Sequence, residues 1–217
     1  MDLTEALRTT GSAREFTDHA VDDATVAAIL DDARFAPSGG NRQPWRVVVV
    51  KDPKIRRHIA DLMTTVWHEY LGQEIDPARA PFAFGRSTGA PPVAAPNGLL
   101  DNIEQVPVVL AVAADLNKIA LMDADVAGRP PITGGASIYP FGWSVLLAAR
   151  ARGLGGVMTT FLSRAETQAA PILGLPEGHA LVATIFLGQP VHQNTKLRRD
   201  PVSDFTTIDR FDGAPLA

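Results

Sequence analysis

Hydrophobic residues recur every three or four positions in some stretches of this chain and form short unbroken runs in others. The first spacing places apolar side chains on one face of a helix, whereas an apolar run of about four to eight residues is typical of a buried strand. Helical spacing predicts a short opening helix and four further helices, over about 22–36, 53–71, 136–152 and 163–172. The apolar runs predict four strands, over 46–50, 107–114, 157–161 and 180–187.

The stretch over 72–103 differs from the rest of the chain. It contains five prolines and four glycines and shows neither helical spacing nor strand-like alternation. An irregular segment of this length within one domain is usually functional, often as a lid. We therefore expect a Pro/Gly-rich lid or excursion at about 72–103, in which Phe82 and Phe84 pack against a partner or a ligand.

Length and composition indicate one globular domain over 1–217. Hydrophobic residues make up 46% of the 217 residues and charged residues 20%, which suits a folded chain with a full core. The net charge of −4 argues against a nucleic-acid partner. The start of the chain lacks the features of a secretory signal and no apolar run is long enough for a membrane span, so we expect a cytoplasmic protein without a membrane partner.

Several kinds of catalytic site are excluded by the residues. The chain has no cysteine, and its five histidines lack metal-ligand spacing. The Gly-Leu-Gly-Gly run at 153–156 is not a dinucleotide-binding loop, because it follows a helix, precedes a strand and has Met158 where a third glycine is needed. We expect no metal and no catalytic side chain, so that a cofactor would supply the chemistry of an enzyme.

Residues 36–45 read Ala-Pro-Ser-Gly-Gly-Asn-Arg-Gln-Pro-Trp. Gly39 and Gly40 have no Cβ and let backbone N–H groups come close to a ligand. Asn41 and Gln43 each offer a donor and an acceptor, which suits the edge of a planar heterocycle. Composition alone is equally consistent with a simple turn between a helix and a strand.

Two basic segments are candidates for binding a phosphate group. Ser12 and Arg14 are two residues apart in a predicted extended stretch, so their side chains point to the same side. Three cations lie within four residues near the C-terminus, namely Lys196, Arg198 and Arg199. Each segment also has an ordinary explanation, because Arg14 can pair with an acidic neighbour and basic tails are often solvated.

Taken in chain order, these segments resemble the FMN-dependent nitroreductase family. Residues 12–16 are similar to its Arg-Arg-Ser-x-Arg-x-Phe opening, and residues 36–45 closely match its Ala-Pro-Ser-x-x-Asn-x-Gln-Pro-Trp signature. Residues 135–140, 146–150 and 153–155 resemble the central helix of the family. Its C-terminal Gly-Tyr-Pro and Lys-x-Arg elements are resembled by residues 188–190 and 196–198.

The resemblance implies an α+β fold of three α/β/α layers, with a central, mainly antiparallel sheet flanked by helices in an intertwined homodimer with shared flavin sites. It implies that the FMN phosphate is held by Ser12, Arg14, Lys196 and Arg198. It implies that a flavin bound mainly by the partner subunit is reached by Pro37, Ser38, Gly39, Asn41 and Gln43. It also implies that the isoalloxazine ring lies along Met158, Thr159 and Thr160, whose backbone N–H groups would lie near N5 or the pyrimidine edge.

Two departures from the family pattern affect these expectations. Thr10 and Gly11 stand where the family usually has arginine, so phosphate binding would depend more on Arg14 and the C-terminal cations. Gly142, Trp143 and Ser144 stand where relatives often have a Gln-Asn pair. The aromatic residues that suit a dimer interface are Trp45, Trp67, Phe82 and Phe84, although Trp67 and Trp143 are equally consistent with core positions.

The family resemblance implies an NAD(P)H oxidoreductase that passes hydride by a ping-pong route to FMN and on to a small electron-poor acceptor, such as a nitroaromatic or a quinone. Other chemistry on the same fold stays open, including dehalogenation, enoyl-type reduction and flavin fragmentation. Dehalogenating relatives use a Glu…Tyr…Lys lid, and here Glu69 and Tyr70 are followed by no lysine over 71–103. A flavin-binding or sequestering protein with little turnover also stays open.

Overall fold

The computed structural model describes residues 1–72 and 93–216, and this part of the chain contains seven α-helices and four β-strands. The helices are α1 (Leu3–Thr9), α2 (Asp23–Ala33), α3 (Pro53–Leu71), α4 (Gly98–Asp101), α5 (Tyr139–Ala151), α6 (Phe161–Arg164) and α7 (Glu166–Leu173). The strands are β1 (Trp45–Val49), β2 (Val108–Asp115), β3 (Gly155–Thr159) and β4 (His179–Gly188). None of the helices in these described ranges is both long and apolar enough to cross a membrane.

Aspartate side chains begin the first three helices. Asp2 accepts a hydrogen bond from the Glu5 N–H at 2.9 Å, and Asp22 accepts one from the Thr25 N–H at 2.8 Å. Asp52 caps α3, where Pro53 takes the first helical position and needs no acceptor for an N–H. These caps fix where the apolar face of each helix begins.

Helix α3 coincides with its prediction, whereas the other predicted elements differ at their ends. The single helix predicted over 163–172 is wrong, because the chain forms two helices there, α6 and α7. The helix predicted over 136–152 begins at Tyr139, because Thr133–Ser137 forms a 3₁₀ turn before it. The strand predicted over 157–161 starts earlier, at Gly155, because both glycines of β3 pair with β4. A Cβ on Gly156 would lie 2.6 Å from the backbone oxygen of Phe186, so only glycine fits this approach.

The four strands form one sheet in the order β1-β2-β4-β3, and each neighbouring pair is antiparallel. Strand β2 lies in the middle and is buried from Val108 to Ala114, which explains its unbroken apolar sequence. The register of β2 and β4 shifts between Val112 and Ala113.

Two hydrophobic cores lie on opposite faces of this sheet. One core joins α2 and α5 to Leu110 and Ile185, and the other joins α3, α4 and α7 to Val109 and Phe186. The result is three layers, with a central antiparallel sheet between two layers of helices. The α+β fold expected from the sequence is confirmed.

Most of the predicted lid, namely residues 73–92 with Phe82 and Phe84, lies outside the described residues. Its last part, residues 93–103, packs against α3. The carbonyl of Ala95 accepts a hydrogen bond from Trp67 Nε1 at 3.3 Å, and Leu99 and Leu100 of α4 are buried against α3.

Asp123 organises the connection between β2 and α5. Its carboxylate is 4% exposed and accepts hydrogen bonds from the Thr133 hydroxyl at 2.6 Å, from the Ile132 N–H at 2.9 Å and from the Arg129 guanidinium. These donors favour the ionised form, in that order, and hold the pKa of Asp123 well below its ordinary value. The ionised carboxylate therefore holds the two ends of this connection together.

We expect Asp123→Asn to lower the melting temperature at pH 7. A carboxylate whose pKa is depressed by folding adds stability above its unfolded pKa of about 3.9, and this stability is lost as the pH falls through the folded pKa. Thermal unfolding should therefore give a difference in melting temperature between wild type and variant that stays constant from pH 7 down to about pH 4. Between about pH 4 and pH 3 this difference should become smaller. Asp31→Asn, at an exposed ion pair with Arg34, is the control and should change little. A difference that is independent of pH would contradict this role of Asp123.

Candidate functional site

Residues 11–17 lie between the edge of β3 and the segment that follows β4. The Ala13 N–H donates to the Gly156 carbonyl at 3.0 Å, and the Thr17 N–H donates to the Gln189 carbonyl at 2.9 Å. Ala13 is buried, whereas Ser12 and Arg14 are exposed. The extended backbone therefore places the Ser12 and Arg14 side chains on one side, as the sequence predicted.

The C-terminal basic segment touches this stretch. A Cβ on Gly11 would lie 2.9 Å from Leu197 Cδ2, so the residue between Lys196 and Arg198 packs directly against the neighbour of Ser12. Gln193 adds a second link, because its Nε2 donates to the Thr9 carbonyl at 3.0 Å. The structure thus joins the two predicted phosphate-binding segments.

We call Ser12, Arg14, Lys196 and Arg198 the basic cluster. All four residues are exposed, and within the described ranges none of the three cations forms an ion pair. An unpaired cation can bind an anion without first breaking a salt bridge. The cluster is therefore suited to a phosphate or carboxylate group.

A cavity of about 310 Å³ adjoins Arg14. Its polar lining includes Arg14, Asn102 and Gln105, and its apolar lining includes Phe16 and Val106. Asn102 and Gln105 are not among the site residues predicted from the sequence. Both residues come shortly before the buried strand β2, so the sequence places them at the end of the sheet. A polar turn without any binding role would have the same sequence, so this position alone does not predict a site.

Among the residues that the structure describes, none pairs with the outer edge of β3 at its end, which we call the free edge. The Gly156 carbonyl points to Ala13 and away from β4, and backbone groups alternate along a strand, so the backbone N–H of Met158 points to the same edge. The Met158 side chain packs towards α5, where a Cβ on Gly142 would lie 2.7 Å from Met158 Sδ. The Thr159 hydroxyl is buried, whereas Thr160 is exposed. Backbone groups, rather than the Thr159 hydroxyl, are available to a ligand here.

The loop over 36–45 connects α2 to β1 through the 3₁₀ turn Gly39–Asn41. Asn41 and Gln43 have positive φ angles of 53° and 48°, a backbone conformation that non-glycine residues seldom adopt outside functional sites. The Ser38 hydroxyl accepts a hydrogen bond from the Gln43 N–H at 3.0 Å and thereby supports this shape. Pro37, Gly39, Asn41 and Gln43 are exposed, and Ser38 is half-buried.

This loop is anchored to the start of α5. The Gly39 N–H donates to Ser137 Oγ at 3.0 Å, and the Trp45 ring stacks on Phe141 with centroids 4.9 Å apart. Among the described residues, no hydrogen bond or ion pair joins the loop to the basic cluster. One chain therefore presents two separate groups of candidate residues.

The remaining tryptophans have different environments. Trp67 is half-buried and packs against Phe161 with ring centroids 5.9 Å apart, as expected for a core position. Trp143 is 37% exposed on α5 and lies at the surface of the chain. In the part of the chain that is described, no group of three or more acidic, histidine or cysteine side chains could hold a metal ion.

The sequence of this chain is similar to one protein family and to several known proteins. The nitroreductase family model matches residues 7–189. The chain is 32% identical over 179 residues to 5,6-dimethylbenzimidazole synthase of Rhodospirillum rubrum, covering 82% of this chain and 76% of that protein. It is 27% identical over 218 residues to an NADH dehydrogenase of Thermus thermophilus, covering 88% of each.

A solved structure shows the same fold. The NADPH:FMN oxidoreductase of Vibrio harveyi, complexed with NAD⁺, matches with a TM-score of 0.68 over 96% of this chain and 77% of that chain. The sequence identity is 21%, so this likeness concerns the fold alone.

We expect Gly11→Ala to destabilise the contact between residues 11–17 and the C-terminal segment. The added methyl group would lie 2.9 Å from Leu197 Cδ2 and 3.0 Å from Asn194 Cβ, and overpacking of this kind costs about 1–3 kcal/mol. Leu197→Ala in the same chain removes the shorter of these two contacts, so the double variant should be more stable than the sum of the single changes predicts. Urea unfolding of the four proteins measures this coupling, and additive changes would contradict the contact.

Proposed function

Because the chain belongs to the nitroreductase family, we propose that it is an FMN-dependent NAD(P)H oxidoreductase. The observation that carries this proposal is the basic cluster, whose two segments touch at Gly11 and Leu197 beside the free edge of β3. The names of the Thermus thermophilus relative and of the Vibrio harveyi oxidoreductase support the same reaction class.

The basic cluster fits the phosphate end of FMN. A phosphate monoester carries about two negative charges and three acceptor oxygens at neutral pH. Lys196 and Arg198 supply cations from one segment, Arg14 supplies a third, and the Ser12 hydroxyl adds a neutral donor. Gly11, which stands where the family usually has arginine, leaves room for Leu197, the residue between Lys196 and Arg198.

The cavity beside Arg14 presents the amides of Asn102 and Gln105 next to an apolar wall. The ring system itself fits the free edge of β3, which offers backbone N–H groups at Met158 and Thr160 to polar atoms of a planar ring. When bound there, FMN would accept hydride from NAD(P)H and deliver it to an electron-poor acceptor such as a nitroaromatic or a quinone.

The chain's own residues bind and orient the reactants and do no acid-base chemistry in this proposal. We place the second group of candidate residues, in the loop over 36–45, at the flavin of a partner subunit in a homodimer. The separation of this loop from the basic cluster within one chain supports that arrangement. Exposed aromatic side chains on α5, Tyr139 at 42% and Trp143 at 37%, provide an apolar surface for the second copy.

Anaerobic stopped-flow mixing of the FMN-loaded protein with NADH and with NADPH tests the reaction. We expect the flavin absorbance near 450 nm to bleach with at least one donor and to return when a nitroaromatic or quinone is added. A flavin that stays oxidised for minutes with both donors would instead establish a flavin-binding protein with little turnover.

Flavin fragmentation is a second candidate function. It is favoured by the 32% identity to 5,6-dimethylbenzimidazole synthase of Rhodospirillum rubrum over 82% of this chain. In that case reduced FMN would be consumed in air as a substrate. Chromatography of an aerobic reaction distinguishes the two functions, because loss of FMN with formation of 5,6-dimethylbenzimidazole supports fragmentation and intact FMN supports the oxidoreductase.

We expect Arg14→Ala and Lys196→Ala each to weaken FMN binding. Loss of one charged hydrogen bond costs about 1.5–3 kcal/mol, which corresponds to about 10- to 150-fold in Kd. Arg199→Ala is the matched control in the same basic run, because Arg199 donates to the Arg198 carbonyl and lies outside the basic cluster. Fluorescence titration measures all three. Unchanged affinity in both cluster variants would rule out the phosphate assignment.

A further inference from the structure

Two threonines with buried hydroxyl groups are cross-strand partners at the end of β3. Thr159 of β3 and Thr184 of β4 are direct partners in the antiparallel register. The hydroxyl oxygen of each is buried and has no hydrogen-bond partner among the described residues, and Thr184 is fully buried. Ser163 of α6, which packs against β4, has a buried hydroxyl in the same condition.

The surroundings of this pair are apolar. Val157 and Phe186 neighbour the two threonines on the same face of the sheet and belong to the core under α3. On β2 the partner of Thr184 is Ala111, which extends a single methyl group from the sheet. A hydroxyl in such a place loses its hydrogen bonds to bulk water, and natural structures satisfy nearly all such groups.

We propose that one buried water molecule is bound between the hydroxyls of Thr159, Thr184 and Ser163, and that it positions the end of β3. A water molecule offers two donors and two acceptors, which matches a group of hydroxyls that can each donate and accept.

This water has a role in the proposed flavin site, and that part of the inference rests on the proposed function. Thr159 lies between Met158 and Thr160, whose backbone groups form the free edge. A water that ties Thr159 to β4 and α6 fixes the direction of those N–H groups. Thr184 is then a positioning residue, which acts through Thr159 and does not itself contact the ligand.

The direction of a stability change tests for the water. Threonine and valine have nearly the same shape, so Thr184→Val removes the hydroxyl with little change in packing. If the water is bound, Thr184→Val leaves it and Thr159 one partner short and lowers the melting temperature. If the hydroxyl has no partner, the same change removes a buried unpaired group and raises the melting temperature.

A double-mutant cycle of Thr184→Val and Thr159→Val shows whether the two hydroxyls contribute to stability together or independently. Two hydroxyls that share one water give non-additive losses, whereas two independent hydroxyls give additive changes. A high-resolution crystal structure of the wild-type chain should show ordered density within hydrogen-bond distance of both hydroxyl oxygens. A raised melting temperature, additivity, or a dry site would each overturn the proposal.

Positioning is tested on the FMN-loaded protein. Thr184→Ser keeps the hydroxyl and should leave the flavin midpoint potential unchanged, whereas Thr184→Val should shift it. Equal potentials in wild type and Thr184→Val would overturn the positioning role. The cycle and the crystal structure need no flavin, so a failure of the proposed function is distinguishable from a failure of the water site.

Discussion

Three backbone hydrogen bonds hold residues 11–17 against β3 and against the segment that follows β4. Residues 11–17 donate to the Gly156 carbonyl on one side and to the Gln189 carbonyl on the other, and the Val191 N–H donates back to Glu15 at 3.0 Å. The N-terminal stretch therefore lies fixed between β3 and the segment that follows β4. The basic cluster depends on this placement, because it turns Ser12 and Arg14 outward beside Gly11, where Leu197 of the C-terminal basic segment packs.

Glycine makes the close approaches possible. At Gly156 a side chain would collide with the backbone of β4, and at Gly11 it would collide with Leu197. Leu197, which packs against Gly11, lies between Lys196 and Arg198, so the C-terminal basic segment contacts the chain next to Ser12.

Local patterns predicted much of this architecture. Helix α3, the buried strand β2 and the alternation of Ser12, Ala13 and Arg14 follow from spacing alone, because each depends on neighbours in sequence. Contacts between distant segments could not be predicted in this way. Thr184 carries no signal of its importance in sequence, since a threonine within a strand is ordinary and its partner Thr159 is set only by the sheet register. Asn102 and Gln105 were missed for the same reason.

The central claim is that the basic cluster holds the phosphate group of a flavin, and a comparison of two ligands tests it most directly. Riboflavin has the same ring system as FMN and lacks the phosphate. Titration of the purified flavin-free chain with each ligand, followed by fluorescence quenching, gives both dissociation constants under one condition. We expect one FMN to bind per chain, far more tightly than riboflavin, and the difference in affinity to shrink at high salt. Equal affinity for the two ligands, or no binding of FMN, would contradict this claim.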